Sequence, residues 1–209
     1  MKPILFNTEM VRAILDGRKT VTRRLIKPQP EFREGETGTP ERCADGNWCF
    51  KIDQYTSIYD FDIKPPYHPG DILYVRETWG VYCRNWWEAG YFNYKADWQA
   101  QESPYGPTEP PKWRPSIHMP KEAARIFLRV KSVRVQRLRD MVLADVLMEG
   151  IKEGDSYEET WDRWHKTWDS TVPKNPNKFK SYPYYWKDNP WVWVISFERC
   201  EKPEEVPGC

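Results

Sequence analysis

The 209-residue chain has no apolar run near the roughly 18 residues of a membrane span, and its opening, MKPILFNTEM, lacks the apolar core of a secretory leader. A chain that avoids the membrane and works in the cytoplasm is therefore expected. There is no CxxC pair and there are only 3 histidines. The five cysteines (Cys43, Cys49, Cys83, Cys200, Cys209) are odd in number and irregularly spaced. That pattern favours reduced thiols over a disulfide framework, with a zinc site of Cys43, Cys49 and one histidine as the alternative. No metal and no cofactor is expected. The net charge of +1 supplies no global field that would draw the chain onto nucleic acid or membrane. No internal repeat is present.

What the chain has instead is aromatic bulk, proline and segregated charge. Apolar content is only 39%, but 12 Trp, 12 Tyr and 8 Phe each bury a large area. Nineteen prolines among so many aromatics indicate long ordered loops rather than disorder. Segments 1–27 and 112–139 are basic, with seven cations to two acids and nine to one; 31–62 and 140–169 are acidic, with eight acids to three cations and nine to three. Any affinity for a polyanion must come from segments rather than from the total.

Hydrophobic periodicity places a first helix over 8–16, with Thr8 as N-cap, an apolar stripe of Met10, Val11, Ile14 and Leu15, and Gly17 just past its end. Residues 19–25 read as extended. Residues 28–69 read mostly as loop, with a hairpin around Cys49–Ile52, and PGDILYVRETW (69–79) as a core strand. In RIFLRVKSVRVQRL (125–138) the apolar parity switches between Val130 and Val133, predicting a bulge near Lys131-Ser132. RDMVLADVLMEGI reads as a helix closed by Gly150. SYEETWDRWHKTWD reads as another, whose Trp161, Trp164 and Trp168 form a packing stripe. PWVWVISFERC reads as a last buried strand. This order predicts an α+β fold, with a small mixed β-barrel carrying helices at its mouth as the best fit.

GRKTVTRR after a first helix, GDILYVRE as the next core strand and LMEG closing a later helix together resemble the ASCH domain, a relative of the PUA fold. ILFNTEMVRAILDGRKTVTRR, PGDILYVRETW, WRPSIHMP and NPWVWVISFERC are more specifically similar to ASCH proteins of tailed phages and prophages, often labelled morphogenetic. The resemblance covers nearly the whole chain. It implies one PUA-like domain over 1–209, with Pro/aromatic-rich insertions at about 28–66 and 83–120, and a bacterial host cytoplasm if the chain is phage-encoded. A minimal bacterial ASCH amidohydrolase removes the acyl group of N4-acetylcytidine with Lys, Thr and Glu. By resemblance these fall at Lys19, Thr22 and Glu149. The chain departs from that pattern at Arg23, where the enzyme has an apolar residue, and in the spacing from Ala144 to Glu149.

Amide hydrolysis needs a nucleophile, a base and donors for the oxyanion. Arg18, Arg23 and Arg24 supply positive charge that would lower the pKa of Lys19. A carboxylate at Glu149 faces the negative end of its helix, which is unfavourable unless a cation such as Lys19 sits opposite. A regular strand over 19–24 would point Lys19 and Thr22 to opposite faces, so a turn at 19–20 is required for them to meet; Thr20 is the spare hydroxyl. Trp113, Arg114, Ser116 and His118 are candidates for holding a base, or else form a loop pinned in the core. Arg129, Lys131 and Arg134 lie on a basic ridge suited to phosphates, or else to pairing with the acidic 140–169 segment. The expected functions are thus an amidohydrolase acting on a modified nucleoside, a non-catalytic RNA- or DNA-binding PUA-like module, or an ASCH-type ribonuclease. Oligomeric state is not readable from the sequence.

Overall fold

Asn7, not Thr8, caps the first helix: its side chain accepts from Met10 N at 2.8 Å, and α1 runs Thr8–Leu15. A computed structural model describes residues 1–32, 37–52, 58–82, 91–99, 102–103, 106–107, 109–172 and 184–204. Cys83, Cys209 and the Pro/Lys-rich 173–183 lie outside the described residues.

In chain order the strands are β1 (Lys2–Leu5), β2 (Val21–Leu25), β3 (Gly38–Arg42), β4 (Trp48–Ile52), β5 (Ile58–Ile63), β6 (Ile72–Arg76), β7 (Trp79–Tyr82), β8 (Tyr91–Tyr94), β9 (Glu102–Ser103), β10 (Gly106–Pro107), β11 (Phe127–Arg137) and β12 (Trp191–Cys200). Helices α2 (Leu143–Met148) and α3 (Tyr157–Thr171) lie between the last two. The fold is mixed α+β. Its main sheet has the order β1-β6-β11-β12-β2, with β1 parallel to β6 and every other pair antiparallel.

The β11–β12 register shifts between Val130 and Ser132, as the parity switch predicted. The shift returns Val133 and Val135 to the core that Leu128 and Val130 already fill. One face of the sheet packs Ile4, Val75, Leu128, Trp193 and Ile195 with Phe6 of the β1–α1 turn. The other packs Val21, Val192 and Val194 beneath Val146 of α2 and Trp164 and Trp168 of α3. The tryptophan stripe is therefore packing. Across the open side of the sheet, Arg24 Nη2 of edge strand β2 donates to Leu5 O of edge strand β1 at 2.6 Å, so the two edges face each other.

Residues 28–66 hold more structure than the expected loop: β3, β4 and β5 form an antiparallel sheet. Its aromatics extend the first core. Phe50 meets Trp191 at 4.8 Å and Trp48 meets Trp193 at 6.4 Å between ring centroids. Period-2 alternation is weak there because β3 is almost entirely exposed or half-buried and carries Pro40 on the sheet edge. Among the described residues no helix is long and apolar enough to cross a membrane.

Gly150 ends the α2 turn at φ +87°, and a Cβ there would lie 2.6 Å from Ala13 Cβ and 2.9 Å from Lys19 Cβ. It is the point where α2 and α1 close over the strand that begins at Val21. Gly150→Ala combines left-handed strain with overpacking and is expected to cost about 2–4 kcal/mol. Thermal melts followed by circular dichroism would read this as a lowered midpoint; an unchanged midpoint would refute the close approach.

Candidate functional site

Lys19 precedes β2 rather than lying in it. After Gly17 (φ +74°) the chain turns back, Lys19 N donates to Ala13 O at 2.9 Å, and Lys19 forms an isolated antiparallel bridge with Glu149. Thr20 O accepts from Phe197 N and Ile26 N donates to Trp191 O, so these alternate residues turn their backbone groups toward β12. The Val21 carbonyl, of opposite parity, points to the free edge. Lys19 runs along that edge, and its Nζ donates to Val21 O at 2.9 Å, Glu149 O at 2.9 Å and Glu149 Oε2 at 2.6 Å. All three ammonium protons are therefore taken up.

Glu149 is the residue after α2, where a carboxylate faces the negative end of the helix. Two cations offset this. Lys19 holds one carboxylate oxygen, and Arg23 Nη1 approaches the other at 3.2 Å. Arg23 lies on the opposite face of β2, beneath α2. Its Nη2 is 3.1 Å from Asp145 Oδ1, close enough for an ion pair but misaligned for a hydrogen bond, and Nε and Nη2 have no hydrogen-bond acceptor. Asp145 Oδ2 in turn accepts from Val142 N, which ties the network to the start of α2. Lys19, Arg23 and Glu149 are 2%, 4% and 4% exposed, so these charges are held by one another rather than by water. Burial lowers the pKa of Lys19. Glu149 opposes that shift, while Arg24 and Arg23 add to it.

Thr22 shares a strand face with Arg24, toward the core that contains Phe6. The Lys19 ammonium and the Arg24 guanidinium both lie over the Phe6 ring, at 5.6 and 5.3 Å from its centroid. Thr22 is 3% exposed, and its hydroxyl makes no hydrogen bond to Lys19, to Glu149 or to any other residue among those described. Past Arg24, the gap between β1 and β2 widens into a cleft of about 370 Å³. Its walls include Arg24, Lys27, Lys64, Tyr67 and Trp193.

Protein-family models, curated proteins and solved structures were all compared with the chain, and none matches. Its chemistry must be read from the site itself.

The structure gathers Lys19, Glu149, Arg23 and Arg24, with Thr22 on the strand face of Arg24, and disperses the other candidates. Arg18 clamps the backbone: its Nη1 donates to Gly150 O at 2.6 Å while Nη2 pairs with Asp16 at 2.8 Å. Thr20 is exposed and lines a second cleft of about 500 Å³ with Lys131, Ser196 and Glu198. Lys19 meets that cleft without its side chain, which is fully buried. Arg114 pairs by backbone with Trp79 and lays its guanidinium over that ring at 5.1 Å, and Trp113 packs edge-on against Trp98 at 6.1 Å. Ser116 and His118 belong to a 3-10 turn whose Ile117 and Met119 carbonyls accept from Arg76. This loop is pinned to β6 and β7, and no hydrogen bond, ion pair or ring contact joins it to Lys19 or Glu149.

Of the basic ridge, Arg129 and Lys131 each lie 3.8 Å from Glu198, and Arg134 lies 3.6 Å from Asp145. Local acids thus soften the field available to a phosphate backbone. Among the described residues, no group of three or more His, Cys, Asp and Glu is placed to hold a metal ion. Sequence reasoning passed over Asp145, whose only signal is its place one turn before Glu149. It also passed over Lys27, Lys64 and Tyr67, which reach the cleft only through tertiary folding.

Proposed function

We propose that the chain is an ASCH-type, PUA-like protein whose main sheet curls into a small barrel, and that the seam between β1 and β2 is an amidohydrolase site. Its substrate class is a cytidine acylated on the exocyclic amine. The observation that supports this best is the buried Lys19–Glu149 pair beside a cation-walled cleft, with the unpartnered Thr22 hydroxyl on the strand face it shares with Arg24.

In this reading the reactive form is the neutral tautomer of the resting ion pair, reached when the proton passes from Lys19 Nζ to Glu149. The free amine then takes the Thr22 proton as Oγ1 attacks the acyl carbon. Arg24, which donates from Nη2 alone, has Nε and Nη1 available for the developing oxyanion. Glu149 returns its proton to the leaving cytosine amine. The proton passes to Glu149 once more, the Lys19 amine deprotonates a water that attacks the acyl carbon, and Glu149 protonates Thr22 Oγ1 as the carboxylic acid leaves.

The test is turnover of N4-acetylcytidine by the purified protein, followed by chromatography. The Lys19–Glu149 pair is expected to lose its shared proton below the ordinary lysine value of 10.5, and activity should fall as pH rises through that limb, because Glu149 then has no proton for the leaving amine. Absence of turnover on N4-acylcytidines, or a limb at the ordinary value, would reject the assignment.

A further inference from the structure

The cleft between β1, β2 and the 64–67 segment has a one-sided charge that deacylation does not require. Arg24, Lys27 and Lys64 stand around it, and among the described residues no acidic side chain lines it. Among the described residues none of the three cations forms an ion pair. Arg24 donates only to Leu5 O and Lys27 faces the Tyr184 ring at 5.8 Å, while Lys64 has no polar partner. Elsewhere on the described surface some cations are paired with acids, as at Lys2–Asp71, Arg18–Asp16, Arg163–Glu159 and Lys166–Asp162, and others, such as Lys51 and Lys112, are not; here three stand around one concavity. Three unpaired cations around one concavity repel each other, and an anion relieves that repulsion. Burial also pulls the Arg24 pKa down, with Tyr67 and Glu149 compensating only in part. Two aromatics complete the walls. Tyr67 is fixed by its hydroxyl, which donates to Pro3 O at 2.8 Å, and Trp193 is opposite Arg24 in the β12–β2 register.

We infer that this cleft is a phosphate-monoester site, and that the ligand of the seam is a 5′-mononucleotide rather than a free nucleoside. The assignment deepens the proposed deacylase reading and rests on it for the identity of the base. Arg24 links the two regions. It lies over Phe6 beside the Lys19 ammonium and also forms part of the cleft wall, so a nucleotide whose phosphate rests on Lys27 and Lys64 would extend past Arg24 toward the reacting pair.

Calorimetric titration of the full chain with CMP, cytidine and inorganic phosphate tests the site without turnover. At low salt CMP is expected to bind at least about tenfold more tightly than cytidine, with phosphate competing, since hydrogen bonds to a charged group carry that much. The exposed double substitution Lys27→Ala/Lys64→Ala should remove the CMP advantage, leave cytidine binding unchanged and preserve the melting midpoint. Equal affinity for CMP and cytidine, or CMP binding indifferent to the double substitution, would overturn the site. A 5′-phosphorylated dinucleotide binding more tightly than CMP would overturn the mononucleotide assignment. Lysine-dependent CMP binding without deacylation of N4-acetyl-CMP rejects the enzyme reading alone. Deacylation of N4-acetylcytidine with no preference for its 5′-phosphate rejects the anion site alone.

Discussion

Glu149→Ala is expected to destabilise the protein by about 3–5 kcal/mol, the range for removing one partner of a buried ion pair. The cost arises in what remains. Lys19 keeps its two carbonyl acceptors but loses its counter-charge, in a position where its side chain has no access to water. Arg23, already short of acceptors at Nε and Nη2, loses the oxygen at 3.2 Å. Lys19→Met should cost less, because Arg23 still holds the carboxylate. The paired substitution Lys19→Met/Glu149→Ala should recover part of the loss, since it removes both charges of the pair. Urea unfolding of the four proteins in a double-mutant cycle measures the coupling. Additive effects, or a Glu149→Ala cost below about 1 kcal/mol, would show that the pair does not hold the end of α2 to the edge of β2.

This expectation bears on how activity data are read. The ion pair is a structural clamp in the resting protein, covering the free edge of β2 and locking Gly150 against α1. Loss of turnover in Lys19 or Glu149 variants therefore mixes chemistry with local unfolding.

The sequence was most readable where the signal is local. Helix α1, the bulge after Val130, the tryptophan stripe of α3 and the final strand each follow from periodicity within about a dozen residues. Strand β1 was not readable. Its four residues, KPIL, are mostly exposed and become a strand only by pairing in parallel with β6, some seventy positions away. Strands β3–β5 were hidden for a related reason, since one short exposed member masks the alternation of the others.

The site divides in the same way. Glu149 stood out as an acid at the wrong end of a helix, and its partner proved to be Lys19. The turn needed to separate Lys19 from the strand is present, because β2 begins only at Val21. Arg23 and Arg24 look equivalent in a run of cations, yet one residue of parity sends the first under α2 and the second into the seam. The cleft was unreadable because Lys64 and Tyr67 lie beyond a sheet that reads as loop.

Thr22→Val separates chemistry from architecture, and we expect it to lower kcat/KM for an N4-acylcytidine by at least about a thousandfold, as loss of an attacking nucleophile should. Replacing Thr by Val normally carries a penalty because a hydroxyl leaves its hydrogen bonds behind. Here there are none to leave: among the described residues the Thr22 hydroxyl has no partner, and its neighbour across the ladder is the core residue Ile195. An extra methyl in a near-apolar setting should leave stability unchanged or slightly raised. The pairing of a preserved melting midpoint with lost turnover is what a clamp residue cannot produce. Thr20→Val serves as the control, since that hydroxyl is exposed and opens onto the other cleft. If Thr22→Val turns over at the parental rate, Thr22 is not the nucleophile. If Thr20→Val alone loses activity, the reacting centre moves to the cleft lined by Lys131 and Glu198, where the Lys19 amine does not reach.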